Sequence, residues 1–169
     1  AIEINSFSKN AGFTGVRLGW TIVPFGLESD NAETGTIHRL WNRRQCTYFN
    51  GASNISQAGG LMALSEEGRK ECRTLVDYYL GNAAIIKEGL EKAGLVCYGG
   101  VNSPYVWAKA PRGMGSWEFF DFLLEKAHVV VTPGEGFGKS GEGYVRVSSY
   151  GHREDVEKAV KAIVEHIND

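Results

Sequence analysis

The chain has 169 residues, of which 43% are hydrophobic and 22% charged, and its net charge is −2. This is ordinary for a water-soluble globular domain or a pair of small lobes, and it gives no basic excess of the kind that nucleic-acid binding uses. No apolar run approaches the ~20 residues of a membrane-spanning helix, and "AIEINSFSKN" lacks the basic start and long apolar core of a signal peptide. Cys46, Cys72 and Cys97 are widely separated and odd in number, so they read as free thiols in a reducing compartment. His38, His128, His152 and His166 show no metal-ligand spacing, and no metal site is expected.

Ile2 and Ile4 alternate with polar residues in "AIEINSFS", which predicts a strand running into a loop that carries Lys9. "GWTIVP" is a second short strand, stopped at Pro24. The following segment is polar until Ile37, Leu40 and Trp41 start a helical period. "NGASNIS" is a turn, after which Ser53 or Asn54 can cap the helix "SQAGGLMAL". From Ser65 to Ala93 the apolar positions Leu75, Val76, Tyr79, Leu80, Ala83, Ile86 and Leu90 recur at steps of three and four. A long helix stopped at Gly94 is predicted there, with Gly81 and Gly89 working against its continuity.

Beyond Gly94 the texture becomes mixed. "LVCYG" and "YVWAKA" are short strands, "SWEFFDFLLEKA" an amphipathic helix, and "HVVVTPG" an apolar strand. "TPGEGFGKSGEG" is too glycine-rich for a strand and reads as a mobile loop. In "GYVRVSSYG", Val145, Val147 and Ser149 alternate against Arg146 and Ser148, so a further strand is expected. "HREDVEKAVKAIVEHIND" is a terminal helix with pairs such as Glu154 with Lys158 and Glu157 with Lys161. The lobe boundary falls near Ser65. Residues 1–65 form one part and 66–169 the other, in an α/β chain with a long connecting helix.

The chemistry gathers in "SFSKNAGFTGVRLGW". A lysine amine near a second cation, or in a dry pocket, sheds its proton more readily and can then form a Schiff base with a carbonyl. Arg17 can grip a phosphate with its planar fork of donors, and Ser6 and Ser8 add hydroxyls beside Lys9. Alone, this pattern is weak. There is no GxxxxGK[ST] and no GxGxxG, so nucleotide binding is unsupported. Arg146, set between Val145 and Val147, is a candidate for binding a carboxylate. Arg43 and Arg44 read as a solvated face, with help in binding a distal carboxylate as the alternative.

These residues together bear a family resemblance. The stretch "SFSKNAGFTGVRLGW", with serines three residues and one residue before the lysine and an arginine eight residues after it, resembles the lysine segment of fold-type I, pyridoxal-phosphate-dependent aminotransferases. "VTPGEGFG…GEGYVRVSSYG" resembles a second segment of the same family, in the same order along the chain. "GFTGVRLGW", "LWNRRQCTYFNGASNISQAGG" and "VNSPYVWAKAP" look most like the subgroup whose amino donor is LL-diaminopimelate, with 2-oxoglutarate as partner acid. The resemblance implies the C-terminal piece of a cofactor-binding large domain over 1–65, then a connecting helix and an α/β small domain over 66–169.

It also implies roles. Lys9 forms the Schiff base with pyridoxal 5'-phosphate and then moves the α-proton. Ser6, Ser8 and Arg17 hold the cofactor phosphate, and Arg146 binds the substrate α-carboxylate. Asn50 reaches across a homodimer interface toward the partner's cofactor and substrate. A cytoplasmic enzyme of amino-acid biosynthesis is expected, or a plastid stromal one in a plant or alga. Such enzymes carry further cofactor contacts upstream of the lysine, so this chain is expected to be a fragment, inactive by itself, whose Ile2 and Ile4 lie on an exposed edge. Other subgroups, acting on aspartate, alanine or aromatic amino acids, remain open, as does a non-catalytic α/β module.

Overall fold

The structure, a computed structural model, describes residues 1–167. It divides into two compact units, Ala1–Val76 and Asp77–Asp169. The chain order is β1 (Glu3–Ser6), α1 (Phe7–Asn10), β2 (Gly19–Ile22), α2 (Thr36–Tyr48), α3 (Asn54–Leu64), α4 (Glu66–Lys92), β3 (Cys97–Gly99), β4 (Tyr105–Lys109), α5 (Ser116–Ala127), β5 (Thr132–Pro133), β6 (Tyr144–Ser148) and α6 (Arg153–Ile167).

In the first unit β1 and β2 pair antiparallel, with Glu3 opposite Ile22 and Ser6 opposite Gly19. Only Phe7 and Val23 among its hydrophobic side chains are buried, whereas Ile4 is 78% and Ile55 85% exposed. Most of its apolar surface therefore stays in contact with solvent, and its hydrophobic stabilisation is small.

The second unit has a conventional core. Its sheet is antiparallel throughout, in the order β3-β4-β6-β5. Val106 and Ala108 of β4, and Val145 and Val147 of β6, alternate into a buried layer. Ala83, Ile86 and Leu90 of α4, Phe119 and Leu123 of α5, and Val156 and Ile163 of α6 complete the same cluster. The strand period of two and the helix period of 3.6 place these residues on inner faces.

α4 runs unbroken through both of its doubtful glycines. Gly89 faces α6: a Cβ there would stand 2.2 Å from the Val160 Cγ1. The absent side chain permits that approach, and tertiary packing offsets the low helix propensity of glycine. Gly94 ends the helix at φ 89°, and the Leu95 amide donates to the Leu90 carbonyl at 3.0 Å, closing the turn.

Four local expectations change. Lys9 lies on a short helical turn, α1, instead of in open loop. The "HVVVTPG" strand shrinks to Thr132–Pro133, because α5 stops at His128 in a left-handed conformation (φ 56°) and Val130 is left exposed. The glycine-rich segment after it forms two 3₁₀ turns, Gly134–Phe137 and Lys139–Gly141. A Cβ on Gly134 would stand 2.2 Å from the Gly141 carbonyl oxygen, so these backbones touch only because both residues are glycine. On α6 the acid–base pairs are Asp155 with Lys158 and Lys161 with Glu165, in place of the two pairs expected. All these side chains are exposed, where alternative pairings differ by tenths of a kcal/mol.

Candidate active site

In the first unit the lysine turn is fixed by its neighbours in sequence and space. Ser6 caps α1, its hydroxyl oxygen accepting from the Ser8 amide at 3.1 Å. Phe7 points the other way and is buried, with ring centroids 4.6 Å from Trp20 and 5.5 Å from Phe13. Its amide donates to the Leu18 carbonyl at 3.1 Å, and its carbonyl accepts from the Ala11 and Phe13 amides. The alternation of one turn therefore buries Phe7 and leaves Lys9 exposed, on backbone pinned from both sides.

The same loop holds Arg17. Its backbone is left-handed, φ 65°, which costs a residue with a Cβ about 1–2 kcal/mol. Backbone outliers of this kind concentrate where a site needs a particular geometry. The Arg17 amide donates to the Phe13 carbonyl at 3.0 Å, and its guanidinium donates to the Thr14 carbonyl at 2.6 Å. The Thr14 hydroxyl in turn donates to the Ser8 carbonyl at 2.9 Å. Thr14 thus ties the arginine to the serine turn, a role that nothing in the local sequence pattern marks. Ser56, buried on α3, donates to the Val16 carbonyl at 3.2 Å and anchors the loop from outside.

Ser6, Ser8, Lys9 and Arg17 therefore share one hydrogen-bonded loop. The Ser6 hydroxyl accepts from Ser8 and keeps its own proton to donate. Two hydroxyls, a guanidinium and an amine form a donor set that suits an oxyanion carried beside a carbonyl carbon, which is the chemical make-up of pyridoxal phosphate. Asn50 is exposed in the turn between α2 and α3.

In the second unit Arg146 occupies the middle of β6, opposite Trp107 of β4 and Thr132 of β5. Its guanidinium carbon lies 4.4 Å from the Tyr105 ring centroid and 4.6 Å from that of Phe137. Its Nε is buried and has no hydrogen-bond partner. A buried charged donor left without an acceptor is costly, and it marks a place where an anion fits. Nearby, the Tyr150 hydroxyl is pushed up to about 12, first by burial and then by the neighbouring Tyr105 hydroxyl, so the Tyr150 phenol stays neutral at ordinary pH. The Cys97 thiol is pushed up to about 11, chiefly by burial and then by the Glu91 carboxylate. A thiol in that state is a packing group and not a nucleophile.

A capped turn bearing Lys9, with Ser6, Ser8 and Arg17 in the same loop, precedes in sequence an antiparallel α/β unit with a strand arginine. The family model for aminotransferase class I and II matches residues 1–163, and the chain belongs to that family. It is 53% identical over 165 residues to the LL-diaminopimelate aminotransferase of Bacteroides fragilis, covering 96% of this chain and 40% of the relative. Identity to the LL-diaminopimelate aminotransferase of Prochlorococcus marinus is likewise 53%, over 97% of this chain and 40% of the relative. The solved L,L-diaminopimelate aminotransferase from Chlamydomonas reinhardtii superposes with a TM-score of 0.90 at 49% identity, covering 99% of this chain and 40% of that one. The aromatic aminotransferase from Pyrococcus horikoshii superposes at 0.80 with 26% identity, over 99% of this chain and 43% of that one. The chain thus spans about 40% of the length of the curated relatives it matches.

Proposed function

We propose that this chain carries the reactive lysine and the carboxylate-binding arginine of a pyridoxal-phosphate-dependent transaminase. Its amino donor is LL-diaminopimelate and its acceptor 2-oxoglutarate, a step of lysine biosynthesis. In this reading residues 1–65 belong to the cofactor-binding domain and residues 66–169 to the connecting helix and small domain. The observation that carries it is the loop in which Ser6, Ser8, Lys9 and Arg17 come together on a turn pinned from both sides. The identity to relatives named for diaminopimelate, about twice that to the aromatic enzyme, supports the choice of substrate.

Each residue has a part. Ser6, Ser8 and Arg17 hold the cofactor phosphate, fixing its orientation. Lys9 would supply the amine that holds the cofactor at its aldehyde carbon and, when deprotonated at Nζ, the base that would move the substrate α-proton. Pyridoxal phosphate, when bound, supplies the electron sink that makes that proton acidic. Arg146 binds the substrate α-carboxylate through its in-plane N–H donors. Asn50 acts from the partner subunit of a homodimer, reaching cofactor and substrate. The setting is the cytoplasm, or a plastid stroma. Among the described residues no helix is long and apolar enough to cross a membrane.

A substrate panel on the full-length protein, loaded with pyridoxal phosphate, tests the reading. With 2-oxoglutarate as acceptor, LL-diaminopimelate should give a higher kcat/KM than aspartate, alanine or tyrosine. A higher value for any of those three would contradict the assignment.

A further inference from the structure

Arg146 is set among aromatic rings, and those rings are themselves braced. Tyr105 meets Tyr150 edge-on, with centroids 5.7 Å apart. Tyr150 in turn meets Tyr79 of α4 edge-on at 4.7 Å. The backbone on either side of Tyr150 is held by one group. The Asn82 side chain, fully buried on α4, donates both amide hydrogens, to the Ser149 carbonyl at 3.1 Å and the Gly151 carbonyl at 3.0 Å. The Ser149 amide donates to the Pro104 carbonyl at 3.0 Å, next to Tyr105. Phe137 has its own brace in Trp107, edge-on at 5.6 Å.

We propose that Tyr105 and Phe137 are positioning residues for Arg146, and that Tyr150, seated by Asn82, keeps the Tyr105 ring in place. This rests on the reading of Arg146 as the carboxylate-binding residue. A ring lying against a guanidinium attracts it through the ring quadrupole and uses none of its N–H donors. An aspartate or glutamate partner would occupy those donors and cancel the charge. The rings therefore orient the plane while leaving the in-plane donors for a ligand, in keeping with the unpartnered buried Nε. A free arginine side chain has many rotamers to lose on binding, and orienting it beforehand removes part of that cost from the binding step.

The test uses the full-length enzyme loaded with pyridoxal phosphate and compares Tyr105→Leu, Tyr105→Phe, Phe137→Leu and Arg146→Lys. The readouts are KM for the amino donor and for the oxo acid, kcat, and the visible absorbance of the bound cofactor. Tyr105→Leu and Phe137→Leu should each raise KM for both substrates by about tenfold, equivalent to about 1.4 kcal/mol. In both variants kcat should stay within about threefold and the cofactor absorbance should not move. Tyr105→Phe, which keeps the ring, should restore KM to within about twofold of the parent. A leucine variant that loses kcat at constant KM, or a phenylalanine variant no better than leucine, would overturn the proposal.

Phe137 is 52% exposed, so its replacement leaves folding intact and carries the test if Tyr105→Leu does not fold. Arg146→Lys separates the two levels of the argument. If it leaves KM unchanged, the carboxylate assignment fails and the proposal with it. If it raises KM while both leucine variants do not, the assignment stands and the positioning role is wrong.

Discussion

Ser116→Ala removes one hydroxyl from the first residue of α5, and the structure says what that hydroxyl holds. Ser116 is completely buried. Its oxygen donates to the Gly141 carbonyl at 3.1 Å and accepts from the Tyr144 amide at 3.2 Å. Both partners belong to the segment that carries Phe137 and leads into β6, so the serine staples the glycine-rich turns to the helix start. Glu142 adds a second tie, its carboxylate accepting from the Ser116 amide at 3.0 Å. Alanine fits the space but strands a buried carbonyl and a buried N–H. Each stranded group costs about 1–3 kcal/mol, giving about 2–6 kcal/mol in all. Domains hold only about 5–15 kcal/mol in total. With a urea m-value of about 2 kcal/mol/M, the midpoint should fall by about 1–3 M. Urea unfolding read by hydrogen exchange of β4 and β6 peptides measures the second unit alone. Ser148→Ala, exposed on β6, is the control and should stay within about 0.5 kcal/mol of the parent. A Ser116→Ala change no larger than that of Ser148→Ala would refute the claim that these hydrogen bonds hold the loop.

Two further outcomes are expected. Cys97 has a folded-state value raised above its ordinary one, from 9.0 to about 11, so the native state binds more proton than the unfolded chain between those values. Its contribution to stability is complete below pH 9 and is lost as pH rises toward 11, so Cys97→Ala should flatten the alkaline decline in stability over that window. An unchanged slope would count against the burial account. Hydrogen exchange should show residues 1–65 less protected than 66–169, because the first unit buries so few apolar side chains. Equal protection in the two parts would contradict this.

The helices α4, α5 and α6 were legible because their apolar residues repeat at the helical period over long stretches, and β6 because Val145 and Val147 alternate with Arg146. Family resemblance rested on two short segments, and the family match covers residues 1–163. What stayed hidden depends on contacts distant in sequence or on side chains with few local constraints. The α1 turn is only four residues long and owes its existence to the Ser6 cap and the burial of Phe7. Thr14 has no periodic signature, yet it links Arg17 to the serine turn. Alternation put Arg146 on a strand without indicating that Tyr105, about forty residues earlier, would lie against it, since pairing register is set by the whole sheet. "HVVV" has strong β-propensity, but propensity alone does not provide a neighbouring strand.

The central claim is that Lys9 is the reacting amine and Arg17 and the serines hold the anion. It is tested most directly by loading the full-length protein with pyridoxal phosphate, reducing with borohydride and mapping the modified peptide. The account predicts a single pyridoxyl-lysine at Lys9, with no covalent retention in Lys9→Ala. In Arg17→Ala, labelling should still occur at Lys9 but need a higher cofactor concentration. A stable adduct on a different lysine, or undiminished labelling of Lys9→Ala, would contradict it.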